Sequence, residues 1–138
     1  MPERLQAAGA GARKPFEYAI VRVVPRVERG EAFNAGIVLH SRPHRYLGAR
    51  TELDDAVLAV LSPDCDPESV REHLALIDRI AAADPEAGPI AALSTSERFH
   101  WLVSPSSTMI QASPVHTGLT ADPAATLDHL FRTLVRRA

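Results

Sequence analysis

The sequence contains one cysteine, few aromatic residues and no long hydrophobic run. A single cysteine excludes an intrachain disulfide and a zinc site made of cysteines. The apolar stretches are broken well short of the roughly 20 residues that a membrane-spanning helix needs. The formal net charge is −2, and this argues against a general nucleic-acid coat, which needs a large positive excess.

Several functional motifs are also missing. The chain has no glycine-rich phosphate loop, no Gly-x-Ser-x-Gly elbow and no His-Glu-x-x-His run. These absences argue against a nucleotide-binding Rossmann or P-loop domain, a serine hydrolase and a helix-borne zinc site. No basic segment followed by an apolar run opens the chain, so the cytoplasm is the expected compartment. No cofactor and no membrane partner are predicted.

What is present suits one globular domain. The 138 residues are 46% hydrophobic and 23% charged, and a chain of this length can bury roughly two-thirds of its unfolded surface. Residues 1–15 mix small and charged residues without a period, which predicts a flexible tail. Residues 16–138 are predicted to form a single domain.

Charge is distributed unevenly along the chain. Residues 1–50 carry nine basic and four acidic groups, a balance of +5, whereas residues 51–90 carry two and ten, a balance of −8. Such polarity can steer an encounter with a charged partner. The alternative is that the acidic segment forms the solvated face of a helix pair.

The patterns predict strands first and helices afterwards. Residues 16–27, 32–41 and 45–50 alternate as strands, and Gly36 indicates a bulge or a close backbone approach. A short apolar helix is predicted over 54–61.

Asp-Pro pairs at Asp66 and Asp122 are helix start signals. Further strands are predicted at 99–103 and 108–113. The order predicts an α+β fold, with an antiparallel sheet of about five strands and helices packed mainly on one face.

Two stretches resemble a known family. Residues 33–39 (FNAGIVL) form one, and residues 98–103 (RFHWLV) form the other, followed by 107–111 and 113–118. Together they resemble the bacterial family catalogued as domain of unknown function 3037, over about residues 16–135. Members have no established activity and are often encoded beside a kinase that resembles the HipA toxin kinases. The resemblance therefore implies a protein partner rather than a reaction.

The first candidate site comprises Arg98, His100, Ser104, Ser107 and Gln111. On the predicted strand, Arg98 and His100 share one face, and Gln111 or Ser113 on the next strand could face them. Arginine binds carboxylate or phosphate as a rigid fork, and histidine changes protonation near neutral pH. These residues predict an anion-binding or acid–base pocket, or alternatively a polar network that ties the sheet to a loop.

A second candidate is the loop around His116 and Thr117. Pro114 fixes φ and Gly118 permits a positive φ, so this loop has a defined shape that could hold a ligand. It could equally be a structural crossing in which His116 bonds to the backbone.

Asn34 and Arg22 form the third candidate, in the predicted hairpin. If the hairpin closes near residues 29–30, Arg22 lies opposite Ile37, although a bulge at Gly36 would change this register. Asn34 is then either a functional carboxamide or a buried side chain that satisfies the bulge.

The histidines do not predict a metal site. His40 and His44 are four residues apart but not on one helix face, and His100 and His116 could converge with His40 only if the sheet brings them together.

Three functional hypotheses follow. The leading one is a small accessory protein that binds a protein partner, with Arg98, His100 and the His116 loop in its recognition surface. The second is a hydrolase or phosphotransfer enzyme that uses His100 or His116 as acid–base and Arg98 as anion clamp. The third, nucleic-acid binding through the arginines of residues 1–50, is not favoured because aromatic stackers are few. The oligomeric state is left open.

Overall fold

A computed structural model describes residues 12–105 and 108–137 and confirms the α+β fold. These residues form one antiparallel sheet of five strands: β1 Lys14–Val23, β2 Phe33–Ser41, β3 Tyr46–Thr51, β4 Ile110–Ala112 and β5 His116–Thr120. Four α-helices accompany it: α1 Asp55–Leu61, α2 Pro67–Ala81, α3 Thr95–Val103 and α4 Pro123–Leu134. Short 3₁₀ turns lie at Val27–Arg29, Pro85–Ala87 and Pro89–Ala92.

β1 is the central strand of the sheet. One of its edges pairs with β2, which in turn pairs with β3. Its other edge pairs with β5 along its first half and with β4 along its second half. Both faces of β1 carry apolar side chains, and this is the pattern expected of a strand that is covered on both sides.

The β1–β2 hairpin contains the predicted irregularity. Val21 pairs with Gly36, and the register then shifts so that Arg22 pairs with Asn34. The predicted register, with Arg22 opposite Ile37, is therefore wrong. The mismatch begins at the connection itself, because residues 24–32 form a wide loop with a 3₁₀ turn at Val27–Arg29 rather than a tight turn at residues 29–30. The bulge then changes the register by one residue.

Two hydrophobic clusters cover the two faces of the sheet. Helices α1, α2 and α3 cover one face, with a core that includes Val21, Val23, Val38, Leu58, Leu74 and Phe99. Helix α4 covers the other face, with a core that includes Phe16, Ile37, Leu39, Leu127 and Phe131. Three of the four described helices thus share one face.

The strand predicted at residues 99–103 is wrong, because these residues belong to helix α3. The hydroxyl of Ser94 accepts a hydrogen bond from the backbone N–H of Glu97, and the Glu97 carboxylate accepts one from the N–H of Ser94. This capping box fixes the start of the helix. Phe99, Leu102 and Val103 then recur at helical spacing and pack into the core.

The loop predicted around His116 is largely strand β5. Thr117 pairs with Glu17 and His116 with Tyr18, because the first half of β1 needs hydrogen-bond partners on its second edge. Between β4 and β5 the chain leaves the ladder at Ser113, whose hydroxyl accepts from the N–H of Ile20 at 2.8 Å. Strands β4 and β5 therefore both pair with the same edge of β1, with an interruption between them at Ser113.

The first strand starts and ends earlier than the sequence indicates. β1 begins at Lys14, so the last two residues of the predicted tail are in the sheet, and it ends at Val23. The tail prediction for residues 1–11 lies outside the described residues. Within the described part of the chain, no helix is both long enough and apolar enough to cross a membrane.

Candidate functional site

Two cavities lie on the face of the sheet that α1–α3 cover. One, of about 290 Å³, lies where β1 begins, and we call it the histidine cleft. Its polar lining residues are Glu17, His40, Arg42, Ser96, His100 and Thr117. The other, of about 410 Å³, lies between α2, α3 and β4, and we call it the tryptophan groove. Its apolar lining residues are Leu76, Ile77, Trp101, Leu102, Ile110 and Ala112.

The histidine cleft contains a chain of three polar side chains. His40 is buried, and its Nδ1 lies 3.0 Å from Oε1 of Glu17. Its Nε2 lies 3.5 Å from Oγ of Ser96. The rings of His40 and Phe99 are stacked with their centroids 5.2 Å apart. The imidazole is thus held between a carboxylate, a hydroxyl and an aromatic ring.

The fold explains why these groups meet. Glu17 and His40 are register partners on β1 and β2, so their side chains lie on the same face. Ser96 lies in the first turn of α3, which packs over that face. The exposed residues His100 and Thr117 complete the wall, and Arg42 lies in the turn that follows β2.

The sequence prediction included two residues of this cleft, His100 and Thr117, and missed Glu17 and Ser96. A signal for Glu17 was present, because it shares a strand face with Ala19, Val21 and Val23. An acid on an apolar face needs a polar partner. Ser96 carried no comparable signal, since its role depends on a helix crossing a distant strand pair.

Arg98 lies apart from this cleft. It is buried, and its guanidinium donates to the backbone oxygens of Leu93 at 2.9 Å and Ala81 at 3.5 Å. Its Nε has no partner among the described residues. Two positions along a helix correspond to roughly 200° of rotation, so Arg98 and His100 do not share a face as they would on a strand.

Arg22, Asn34 and Gln111 lie side by side across three strands. The amide nitrogen of Asn34 donates to the backbone oxygen of Leu134 at 3.0 Å, and that of Gln111 donates to the oxygen of Thr108 at 2.9 Å. The buried Nε of Arg22 has no partner among the described residues. The structure thus brings together three predicted residues, in a row that joins the sheet to the end of α4.

His116 faces away from the histidine cleft. Its ring packs against Tyr18 with centroids 5.2 Å apart, and Tyr18 packs against the α4 cluster. His100 and His116 therefore lie on opposite faces of the sheet. Ser104 donates its hydroxyl to the backbone oxygen of His100 at 2.7 Å, whereas Ser107 lies outside the described residues.

Two of the histidines considered for a metal site, His40 and His100, reach the same cleft. His44 instead places Nε2 2.8 Å from the backbone oxygen of Thr120. Over residues 12–105 and 108–137, no group of three or more His, Cys, Asp or Glu side chains is arranged to hold a metal ion.

The tryptophan groove has a different character. Its walls are aliphatic, and the Trp101 side chain on α3 is 46% exposed. His73, Ser104 and Gln111 are the polar residues among those that line it. A mainly apolar lining with a few polar groups is typical of a protein-binding surface.

Comparison with known proteins shows one relationship. A family model described as a protein of unknown function (DUF3037) matches residues 18–135. No curated protein and no solved structure shows significant similarity to the chain. The match covers most of the sequence and includes β2, α3 and β5, which contain the residues that carry the resemblance. The chain belongs to the DUF3037 family.

Proposed function

We propose that the protein is a cytoplasmic accessory module that binds a protein partner through the tryptophan groove. The observation that carries this proposal is the half-exposed Trp101 above aliphatic walls from α2, α3 and β4. Tryptophan is enriched among the residues that dominate binding energy, because it buries a large area and loses little side-chain entropy. Trp101 lies in a groove lined by other apolar residues rather than on a flat surface.

The charge distribution supports a particular kind of partner segment. Residues 51–90, which build α1 and α2, carry a balance of −8, and α2 forms one wall of the groove. A segment with an apolar centre and basic flanks complements both features. Complementary charge raises the association rate and makes it sensitive to salt.

A HipA-like kinase is the partner that the family resemblance implies, and this identity is part of the proposal. Trp101, rather than Arg98, is the anchor we propose, because the Arg98 guanidinium is directed at backbone oxygens. The alternative of an enzyme that uses His100 or His116 with Arg98 stays a prediction. The geometry favours it less, since these three side chains do not meet.

The test compares the binding of two variants to a HipA-like kinase encoded in the same genome. Trp101→Ala is expected to weaken the affinity by about thirtyfold, the effect of losing a hot-spot side chain. Val60→Ala is the matched control, because Val60 is an exposed apolar residue on α1, 81% accessible and outside the groove. Isothermal titration calorimetry measures the affinities, and circular dichroism checks that both variants fold.

Equal affinity of wild type and Trp101→Ala would contradict the role of the groove. No binding of the kinase by folded wild type would contradict the partner identity. In that case, affinity capture from cell extract follows. A captured protein supports the groove only if Trp101→Ala loses it and Val60→Ala retains it.

A further inference from the structure

The histidine cleft contains a chemical arrangement that partner binding does not use. An ionised carboxylate can only accept hydrogen bonds, so Glu17 at 3.0 Å requires the hydrogen of a neutral imidazole to lie on Nδ1 of His40. The Nε2 of His40 then presents its lone pair to the Ser96 hydroxyl, 3.5 Å away. This is the arrangement of a carboxylate that orients a histidine toward a nucleophile.

Each member of this chain is held by structure around it. Glu17 and His40 project from adjacent paired strands, and the His40 ring stacks on Phe99. Ser96 lies one residue before Glu97, which forms the capping box of α3. Such a distance between a nucleophile and its base commonly shortens when substrate binds.

The start of α3 supplies groups that could stabilise negative charge. The first N–H groups of a helix have no carbonyl acceptor within the helix. The N–H of Glu97 is bonded to Ser94 Oγ, whereas those of Thr95 and Ser96 have no acceptor among the described residues. These N–H groups lie beside the Ser96 hydroxyl, at the positive end of the helix dipole.

We propose that the histidine cleft is a hydrolytic site for small carboxylic esters. The missing Gly-x-Ser-x-Gly elbow argues against the α/β-hydrolase type of serine hydrolase, whereas here the serine lies in the first turn of a helix. Ser96 Oγ attacks the ester carbonyl carbon while its proton moves to Nε2 of His40. The C–O bond to the alcohol breaks, and His40 returns the proton to the leaving oxygen. The same nitrogen then deprotonates a water molecule, whose oxygen attacks the acyl carbon of acyl-Ser96. The bond from that carbon to Ser96 Oγ breaks and His40 gives the proton to Oγ, so that ester and water give acid and alcohol and the free serine is restored. Glu17 is a positioning residue.

The cleft sets the class of substrate. A cavity of about 290 Å³ admits a small molecule only. Pro15, Phe16 and Pro43 give it an apolar wall, and Arg42 adds a positive charge at the rim. We therefore expect short acyl groups on a compact alcohol.

The first experiment treats the full chain with a fluorophosphonate probe and with p-nitrophenyl acetate. Mass spectrometry is expected to find the probe on Ser96, and p-nitrophenol release is expected to saturate with substrate. Ser96→Ala should abolish both signals. Ser69→Ala is the matched control, because Ser69 also lies in the first turn of a helix, α2, but outside both cavities.

A second variant tests the relay without disturbing the core. His40 is buried, so we leave it in place and change Glu17 to Gln. The amide can donate to Nδ1 and so favour the wrong tautomer, which lowers kcat by about tenfold to 10⁴-fold with KM unchanged. A purely structural Glu17 would leave kcat of the folded variant intact.

The proposal is overturned if mass spectrometry finds no probe on Ser96 of the folded wild-type protein. It is also overturned if wild type releases p-nitrophenol no faster than Ser96→Ala does. Probe attached to another serine overturns it too. If Glu17→Gln leaves kcat unchanged, Glu17 does not position His40, and the proposed arrangement of Glu17, His40 and Ser96 is contradicted. The assay contains no partner protein, so its outcome is independent of the groove.

Discussion

At the scale of single residues, close packing across the sheet decides which side chains are allowed. A Cβ on Gly36 would lie 2.7 Å from Cγ2 of Thr51 and 2.9 Å from the backbone oxygen of Arg50. Gly36 also pairs with Val21 at the last position before the register shifts. The bulge and the close approach, which the sequence offered as alternatives, therefore occur together.

Gly36→Ala is expected to destabilise the fold. The new methyl group must displace backbone of β3, and such overpacking costs about 1–3 kcal/mol. Urea denaturation measures the free energy of unfolding, with Ser69→Ala, at a half-buried position away from the sheet, as a control. An unchanged midpoint for Gly36→Ala would show that β3 moves aside at little cost.

At the scale of elements, α3 shows how a short apolar run can be misread. Residues 99–103 suit either a strand or a buried helix, because a run of five residues spans little more than one helical turn. The deciding signal lies just before the run. Ser94 and Glu97 have the spacing of a capping box, and that spacing predicts a helix.

Ser94→Ala is expected to lower the free energy of unfolding by about 1 kcal/mol, the usual effect of losing an N-cap. Ser94→Asp, which keeps a side-chain acceptor, should retain most of the stability. Urea denaturation of the three proteins at neutral pH measures the effect. Equal stability of Ser94→Ala and wild type would mean that tertiary packing alone holds the start of α3.

The capping box of Ser94 and Glu97 also makes a contribution to the free energy of unfolding that depends on pH. Hydrogen bonds from Ser94, above all from its backbone, hold the pKa of Glu97 below its usual value. A carboxyl group whose pKa is lowered by folding contributes to stability at pH values above its unfolded pKa. That contribution to the free energy of unfolding is lost as the pH falls through the folded pKa. Because Ser94→Ala keeps the backbone N–H that bonds the Glu97 carboxylate, the variant that tests this contribution is Glu97→Gln. Urea denaturation should show the stability difference between wild type and Glu97→Gln narrowing as the pH falls through the folded pKa of Glu97.

At the scale of the whole molecule, contacts between α2 and β3 partly bury the carboxylate of Asp78. The hydroxyl of Thr51 donates to Oδ2 of Asp78 at 2.7 Å, while the buried Oδ1 has no partner among the described residues. Burial raises the pKa of Asp78, and the Thr51 hydrogen bond offsets this only in part. The packing of α2 on the sheet therefore carries an electrostatic cost at neutral pH.

Asp78→Asn is expected to change how stability depends on pH. In wild type the folded state holds this proton more tightly than the unfolded state. Stability therefore falls as pH rises from the unfolded pKa through the raised folded pKa. Relative to the variant, wild type should gain stability as pH falls through that window. Urea denaturation from neutral pH to about pH 4 measures this difference in the free energy of unfolding. If the stabilities of the two proteins change with pH in parallel, the prediction is contradicted.

The sequence by itself determined the features that depend on near neighbours. It predicted the two faces of β1, the irregularity at Gly36, the helix starts at Asp66 and Asp122, and the family. Alternation, caps and turns act over a few residues, so they can be recognised in a linear pattern.

Only the tertiary structure decided which distant side chains meet. It placed Ser96 beside a histidine that lies 56 positions earlier in the chain, and it directed Arg98 at backbone oxygens rather than at solvent. It also made a strand of His116–Thr120 by pairing it with β1. Such contacts depend on how helices cross the sheet, and that geometry is set by packing of the whole core rather than by local spacing.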